Sequence, residues 1–278
     1  MRLLTPLARA AGARELGDGP APLAERARNL AEIARLNGVF GGRLVTLRHV
    51  RRLVARLPAG RPVTVLDLGT GGADVPRALV RWARRAGRPI RVIALDQEPG
   101  TLAVARRTVA GYPEIVLLRA DALALPFASG AVDIAISALT LHHLEPPAAV
   151  AYLAAMDRVA RVGVVVNDLA RSRWGWALVW LVTRVLACGR MSRHDGPLSI
   201  LRAYTAEEAR ALCAFAGMGA VEVTRYDPLL RFCLVLGEAP RKASREHTKV
   251  GAERSEIGEV QPKASRAHTK MGAERSEA

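Results

Sequence analysis

The segment from Val63 to Asp74, VTVLDLGTGGAD, constrains the fold more than any other part of the chain. Its apolar half predicts a buried β-strand, and its glycines predict a tight turn that leads into a helix. A second strand-like run, Ile90–Leu95, ends at Asp96. A strand, a glycine turn, a helix and a second strand that ends in a carboxylate form half of a nucleotide-binding α/β sheet. A carboxylate in that place can accept hydrogen bonds from both hydroxyls of a ribose.

The turn itself distinguishes between cofactors. A dinucleotide-binding turn needs Gly-x-Gly-x-x-Gly, because its backbone closes on a pyrophosphate at a helix N-terminus. Gly69 and Gly71 fit the first two positions, but Asp74 occupies the third. Since a carboxylate there would repel a pyrophosphate, the turn disfavours a NAD-linked oxidoreductase. S-adenosylmethionine, which lacks phosphate and carries positive charge, suits the turn better.

The same residues resemble the first motif of the class I S-adenosylmethionine-dependent methyltransferases, Asp/Glu-x-Gly-x-Gly-x-Gly. The chain has Asp67 at the acid, with Ala73 at the last glycine position. Downstream, the resemblance extends to the strand-like run 132–139 and to the His142-His143-Leu144 sequence that follows it. Such a sequence is typical of the small-molecule members, including relatives of the quinone-biosynthesis methyltransferases.

The resemblance covers roughly residues 63–237 and implies a Rossmann-like α/β fold. Seven mostly parallel strands are expected, the last antiparallel, with helices on both faces; the runs 221–226 and 232–236 predict the closing hairpin. In the family, the acid after the second strand binds the ribose and the acid after the third reads the adenine. The cofactor-binding residues that the resemblance implies are Asp67, Gly69, Thr70, Gly71, Gly72, Asp96, Gln97, Asp121, Ala122 and Ser137.

The chain divides into three predicted regions. Residues 1–60 are a helical cover, with one helix from Leu23 to the Gly41-Gly42 pair and a second from Arg43 to Leu57. In the family such a segment often covers the cofactor pocket; packing on the sheet edge is the equal alternative. Residues 61–239 form the S-adenosylmethionine-binding domain, with an acceptor-side insertion at 170–204. Residues 240–278 carry two near-identical 15-residue repeats that are poor in large apolar residues, which predicts a disordered tail.

The net charge of +15 raises the question of a nucleic-acid partner. Up to Pro240, however, every basic residue is an arginine, and the arginines alternate with Ala, Leu and Val rather than forming a block. This pattern is typical of a compositional bias, so a nucleic-acid partner is not expected. The three cysteines are too few and too scattered for a disulfide framework, and we expect a cytoplasmic protein with buried thiols.

The most unusual stretch of the insertion is residues 174–188, WGWALVWLVTRVLAC, which only Arg184 interrupts. It is shorter than the ~20 residues that span a bilayer. Three interpretations remain open: a core helix, which is the simplest, a lid over a lipophilic acceptor, or a peripheral helix in a membrane interface. Its three tryptophans favour a small apolar acceptor that is phenolic, quinone-like or a polyketide.

Methyl transfer to a phenol or carbon acid gains from a positioned base, and histidine is suited to that role near neutral pH. His142 and His143 follow the fourth strand, and His194 lies in a predicted loop, 191–199, before the last helix. That helix is predicted to begin at Thr205, which forms a capping-box pattern with Glu208. The sequence shows no metal-ligand pattern, so metal independence is predicted. An RNA methyltransferase and a non-catalytic S-adenosylmethionine-binding protein remain alternatives.

Overall fold

The computed structural model describes residues 7–186 and 188–237, and a seven-stranded sheet lies at their centre. The sheet order is β3-β2-β1-β4-β5-β7-β6. The first five strands are parallel, and β7 runs antiparallel to both β5 and β6. The predicted fold class is therefore confirmed. The strands are β1 Val63–Leu68, β2 Ile90–Asp96, β3 Ile115–Arg119, β4 Val132–Ala138, β5 Ala160–Leu169, β6 Val221–Tyr226 and β7 Arg231–Leu236.

Eight α-helices surround this sheet in the described part of the chain. They are α1 Leu23–Val39, α2 Gly42–Val54, α3 Asp74–Arg85, α4 Pro99–Thr108, α5 Pro146–Val159, α6 Arg173–Val185, α7 Arg190–Arg202 and α8 Ala206–Phe215. Apolar side chains of α5 and α8 cover one face of the sheet, and those of α2, α3 and α4 cover the other. Because both faces are covered, the central strands are apolar almost throughout, as in β4, where all residues up to Ser137 are buried.

The two predicted N-terminal helices are present as α1 and α2. Gly41 separates them with a φ of +68°, a conformation that glycine adopts without strain. The N-cap of α8 is Thr205, which accepts from the backbone N–H of Glu208, and the Glu208 side chain completes the predicted capping box.

The predicted loop at 191–199 is wrong, because these residues lie within helix α7. Gly196 and Pro197 suggested a turn, yet both are accommodated in the helix. A Cβ on Gly196 would lie 3.1 Å from side-chain carbons of Val179 and Thr183, so the glycine permits α6 and α7 to pack closely. Tertiary packing therefore overrides the low helix propensity of this segment.

The core-helix interpretation of residues 174–188 is also wrong. Helix α6 buries only Gly175 and Thr183, while the Trp174 side chain is 82% exposed. The apolar residues of this helix extend around the side that faces solvent, so its hydrophobic composition does not reflect burial in the core.

Three further sequence-based expectations concern the cysteines, membrane-spanning helices and the C-terminal tail. Cys188, Cys213 and Cys233 form no disulfide among the described residues and are buried, as predicted. Among the described helices, none combines the length and the apolar content that crossing a bilayer requires. The predicted disordered tail at 240–278 lies outside the described residues.

We predict that Gly163→Ala destabilises the fold. A Cβ at this position in β5 would collide with the Leu236 carbonyl oxygen and lie 2.8 Å from Leu53, and neither has space to move away. Overpacking of this kind costs about 1–3 kcal/mol, and each kcal/mol lowers Tm by about 2–4 °C at this size. Gly111→Ala is the matched control, because nothing lies within 4 Å of its added Cβ. Equal melting temperatures for the two variants in differential scanning calorimetry would contradict the packing argument.

Candidate functional site

A cavity of about 560 Å³ lies at the carboxyl ends of β1, β2 and β4. Side chains from α1, from α7 and from the segment that precedes α1 form its outer wall, with Thr183 of α6. Parallel α/β sheets bind ligands at this edge. The carboxyl ends of the central strands therefore face a cavity large enough for a small ligand.

The glycine turn after β1 forms the floor of this cavity. Gly69 and Gly71 have φ values of +72° and +55°, which disfavour any residue with a Cβ. A Cβ on Gly69 would collide with Thr140, so this glycine permits two loops to pack together. A Cβ on Gly71 would meet only Leu30, at 3.5 Å, so this glycine leaves room for a ligand against the backbone.

Asp96 borders the same turn from the end of β2. One carboxylate oxygen accepts from the backbone N–H of Gly71 at 3.1 Å, and the other accepts from that of Glu98 at 3.1 Å. Burial raises the pKa of Asp96 although both hydrogen bonds oppose this. Nearby, Thr70 Oγ1 is buried and has no hydrogen-bond partner among the described residues. A ligand with polar groups would hydrogen-bond to the Thr70 hydroxyl and to the remaining lone pairs of the Asp96 carboxylate.

The cavity is acidic although the chain is strongly basic. Arg26 is the only arginine or lysine among the described residues that line it. The Arg26 guanidinium is already engaged by Glu98 at 3.3 Å and by two backbone carbonyls. Burial raises the pKa of Asp67 to about 7 and also raises that of Asp74. The carboxylates of the lining are Glu15, Asp18, Asp67, Asp74, Asp96, Glu98, Asp121 and Asp195.

The two adjacent histidines after β4 have different surroundings, since one is buried against an aspartate and the other lines the cavity. His142 is buried, and its Nδ1 lies 2.6 Å from Oδ1 of Asp168 at the end of β5. Burial would raise the pKa of Asp168, but His142 reverses this and holds the pKa of that carboxyl below its usual range. His143 lines the cavity, and its ring lies 4.2 Å from that of His142.

A segment before α1 brings two carboxylates to these histidines. Asp18 Oδ1 lies 2.8 Å from Nδ1 of His143, and Glu15 Oε2 lies 3.9 Å from its Nε2. Burial raises the pKa of Glu15 to about 7. It would also raise the pKa of Asp18, but His143 and Arg202 outweigh burial and hold that pKa far below its usual range. The two carboxyls beside one imidazole therefore favour different protonation states near neutral pH.

The sequence did not identify Glu15, Asp18, Arg26 or Asp195 as site residues. Their positions depend on contacts between distant parts of the chain: the carboxylate of Asp195 accepts from the backbone N–H groups of Leu16 and Gly17 at 2.8 and 2.9 Å. No local motif marks these acids, and helix α7, which supplies Asp195, was predicted to be a loop.

The predicted site residues fall into two groups. Ser137, His142 and His194 are not part of the cavity lining; Ser137 accepts from Tyr152, and the His194 side chain is half exposed on α7. The residues that line the cavity are Asp67, Gly69, Thr70, Gly71, Gly72, Asp96, Gln97, Asp121, Ala122 and His143.

One cluster could in principle hold a metal ion, since Glu15, His142 and His143 each bring one ligand atom within 4.8 Å of the others. Two of these residues are already bound within the protein: His142 pairs with Asp168, and Arg202 lies 3.6 Å from Glu15. The metal independence of the chain stays a prediction.

Comparison with known proteins shows what the central part of the chain resembles. Residues 65–163 match the sequence model of a family described as a methyltransferase domain. A 2-phytyl-1,4-naphtoquinone methyltransferase of Thermosynechococcus vestitus is 45% identical over 86 residues, which are 30% of this chain and 36% of that protein. A demethylmenaquinone methyltransferase of Thermus thermophilus is 43% identical over 88 residues, 31% of this chain and 38% of that protein. The chain thus matches little more than a third of the length of these curated relatives.

A solved structure extends the likeness at the level of the fold. Human N-acetylserotonin methyltransferase, in complex with S-adenosylmethionine, superposes with a TM-score of 0.57 over 78% of this chain and 56% of that chain, at 15% identity. At this identity the likeness shows the fold alone, and it agrees with the match of residues 65–163 to the methyltransferase-domain model.

We predict that Glu15→Gln removes a pH-dependent loss of stability. A carboxyl with a folded-state pKa near 7 and an ordinary value of 4.5 stabilises the fold below about pH 4.5 and loses that contribution as pH rises through 7. Between pH 5 and pH 8 the wild type should lose about 2.5 kcal/mol of unfolding free energy from this group. Burial also raises the pKa of Asp67, so the difference between wild type and variant isolates Glu15.

Urea denaturation across this pH range measures the effect. Glu114→Gln is the matched control, because the Arg84 guanidinium lowers the pKa of that carboxyl and so moves its titration out of the range. Parallel stability profiles for wild type and Glu15→Gln would show that Glu15 does not titrate in this range.

Proposed function

We propose that this chain is an S-adenosylmethionine-dependent methyltransferase that methylates a small apolar acceptor, with His143 as the base. The observation that carries the proposal is an acidic, glycine-floored cavity at the carboxyl edge of the sheet. Excess negative charge disfavours a pyrophosphate and favours a cationic ligand. S-adenosylmethionine carries a sulfonium and an ammonium group, and its donor methyl is already activated for transfer.

The lining residues have the chemistry to hold this cofactor. Asp96 keeps carboxylate lone pairs for the ribose hydroxyls, and Asp121 lies at the same edge beside the space for the adenine. Gly71 leaves its backbone open to the ligand, and the unpartnered hydroxyl of Thr70 adds a donor. Asp67 and Asp74 supply negative charge beneath the turn.

The acceptor class follows from the apolar part of the lining. Leu30 and Ile33 of α1 face the cavity, as do Leu123, Leu139 and Leu144 from loops at the carboxyl edge of the sheet. A flat aromatic or quinone-like molecule gains more from such walls than a sugar does. The two curated relatives are both named as methyltransferases of quinones or quinone precursors, which supports the same class.

His143 is the histidine best placed to take a proton from the acceptor. It lines the cavity, whereas His142 is buried against Asp168 and His194 lies outside. The ionised Asp18 beside Nδ1 can balance the charge that the ring acquires when Nε2 takes a proton. Glu15 lies on the Nε2 side and can pass that proton onward. The rest of the rate enhancement comes from holding the acceptor close to the donor methyl.

We predict that Gly71→Ala weakens cofactor binding without unfolding the protein. The added methyl would occupy the open space against the turn, and we expect the Kd for S-adenosylmethionine to rise about tenfold or more. Gly87→Ala is the matched control: its φ of +59° imposes the same backbone strain, about 1–2 kcal/mol, away from the cavity. Isothermal titration calorimetry with S-adenosylmethionine and S-adenosylhomocysteine measures both.

Each result of this titration decides the proposal. Tighter binding by wild type and Gly87→Ala than by Gly71→Ala supports the site. Equal binding by wild type, Gly71→Ala and Gly87→Ala would exclude the glycine turn as the cofactor-binding site. Absence of binding to folded wild type would overturn the proposed function.

We also predict that His143→Ala lowers turnover about 10²–10⁴-fold, the contribution of a positioned base. The Kd for S-adenosylmethionine should stay unchanged, because the acids and the glycine turn carry cofactor binding. His194→Ala is the control, since that side chain lies outside the cavity. Radiolabelled methyl transfer to a panel of phenols and hydroquinones measures turnover. Full activity of His143→Ala, or a loss confined to His194→Ala, would contradict the assignment.

A further inference from the structure

Helix α6 exposes an apolar surface that the methyltransferase fold does not explain. Trp174 is 82% exposed, Val185 69% and Leu181 51%. The helix touches the rest of the protein through a narrow stripe in which only Gly175 and Thr183 are buried. We call the exposed side the α6 face; its members are Trp174, Trp176, Leu178, Trp180, Leu181 and Val185. So many large apolar side chains exposed on one helix mark an interaction site.

The surroundings of the α6 face are positively charged. From Leu169 to His194 the chain contains no aspartate or glutamate. Arg184, Arg190 and Arg193 are exposed in this region. The Arg184 guanidinium stacks on Trp180, 4.1 Å from the ring centroid. Exposed tryptophans beside arginines, without acids, are the composition of helices that lie in the headgroup region of a membrane.

We propose that the α6 face docks this protein on an anionic lipid bilayer. The tryptophans and leucines would enter the boundary between headgroups and acyl chains, and the arginines would bind lipid phosphates. Tryptophan suits this depth, because its ring is apolar while its N–H can hydrogen-bond. Arginine suits it as well, since its stem packs on apolar surface and its charge reaches the headgroups.

Charge distinguishes the bilayer from a second copy of the chain. A two-fold symmetric dimer would place the α6 face against itself. Arginines of the two copies would then approach one another, and the segment from Leu169 to His194 has no acid of its own. Glu32, the acid that contacts this segment, already accepts hydrogen bonds from Gly189 and Ser192. Anionic phospholipids supply that negative charge, so they are the occupant that the surface fits.

The position of the α6 face relative to the cavity adds a reason for docking. Thr183, on the inner stripe of α6, is fully buried and lines the cavity. One helix therefore separates the proposed membrane surface from the proposed acceptor site. A lipid-soluble acceptor could pass from the bilayer along α6 and α7 into the cavity. This last step rests on the proposed function, whereas docking itself does not.

The experiment uses the full chain and phosphatidylcholine vesicles, prepared with and without phosphatidylglycerol. Three of the four tryptophans lie on α6, so intrinsic fluorescence reports directly on this surface. We expect a blue shift and protection from aqueous acrylamide only with the anionic vesicles. In flotation, the Trp174→Ser/Leu181→Ser variant should lose about tenfold or more in partitioning. Phe215→Ser is the matched control, because Phe215 is 79% exposed on α8.

Each outcome decides the proposal. Blue-shifted emission, together with weakened flotation of the α6 variant alone, supports it. Flotation without a spectral shift would mean that the basic chain binds through charges elsewhere, and this would overturn it. Loss of a solution dimer in the α6 variant, without vesicle binding by wild type, would assign the face to a second copy instead. Calorimetric S-adenosylmethionine binding in the same samples tests the proposed function separately, because the α6 variant leaves the glycine turn intact.

Discussion

The geometry of the site depends on one buried carboxylate, that of Asp168 at the end of β5. It accepts hydrogen bonds from the backbone N–H groups of Thr140 and Leu169 and from the ring of His142. These bonds tie the loop after β4 to the neighbouring strand. The same loop packs Thr140 against Gly69 and carries His143 into the cavity. Because hydrogen bonds to an ionised buried group are stronger than neutral ones, a single aspartate helps to position both the glycine turn and the proposed base.

The chain as a whole is basic, whereas its cavity is acidic. The chain carries a formal net charge of +15, yet among the described residues eight carboxylates and one arginine line the cavity. Burial raises the pKa of Glu15 and of Asp67 to about 7, which shows that removing these groups from water costs free energy. A cationic ligand would offset part of that cost by restoring a favourable partner for the ionised acids. Net charge alone therefore points to the wrong kind of ligand for the cavity, although it agrees with an anionic partner for the α6 face.

Local signals and long-range contacts explain which features the sequence could predict. The strands, the glycine turn and Asp96 follow from apolar runs and from residues that permit a positive φ. They can therefore be predicted from a few neighbouring residues. Glu15 and Asp18 reach the histidines because residues distant in sequence hold their segment in place, as Asp195 does 179 positions from Leu16. No periodicity encodes such a contact. Helix α7 was mistaken for a loop for a related reason, since its stability comes from packing on α6 rather than from propensity.

Helix α6 shows why an apolar sequence is a poor guide to burial. Its composition is that of a core helix, but Gly175 and Thr183 are its only buried residues. A side chain the size of tryptophan on the inner stripe would not fit where α7 approaches, because even the Cβ that Gly196 lacks would touch Thr183 at 3.1 Å. The small residues therefore face the protein and the large ones face outward. This is the reverse of the arrangement in a core helix, and it is the arrangement that a helix needs when a second apolar medium lies outside the protein.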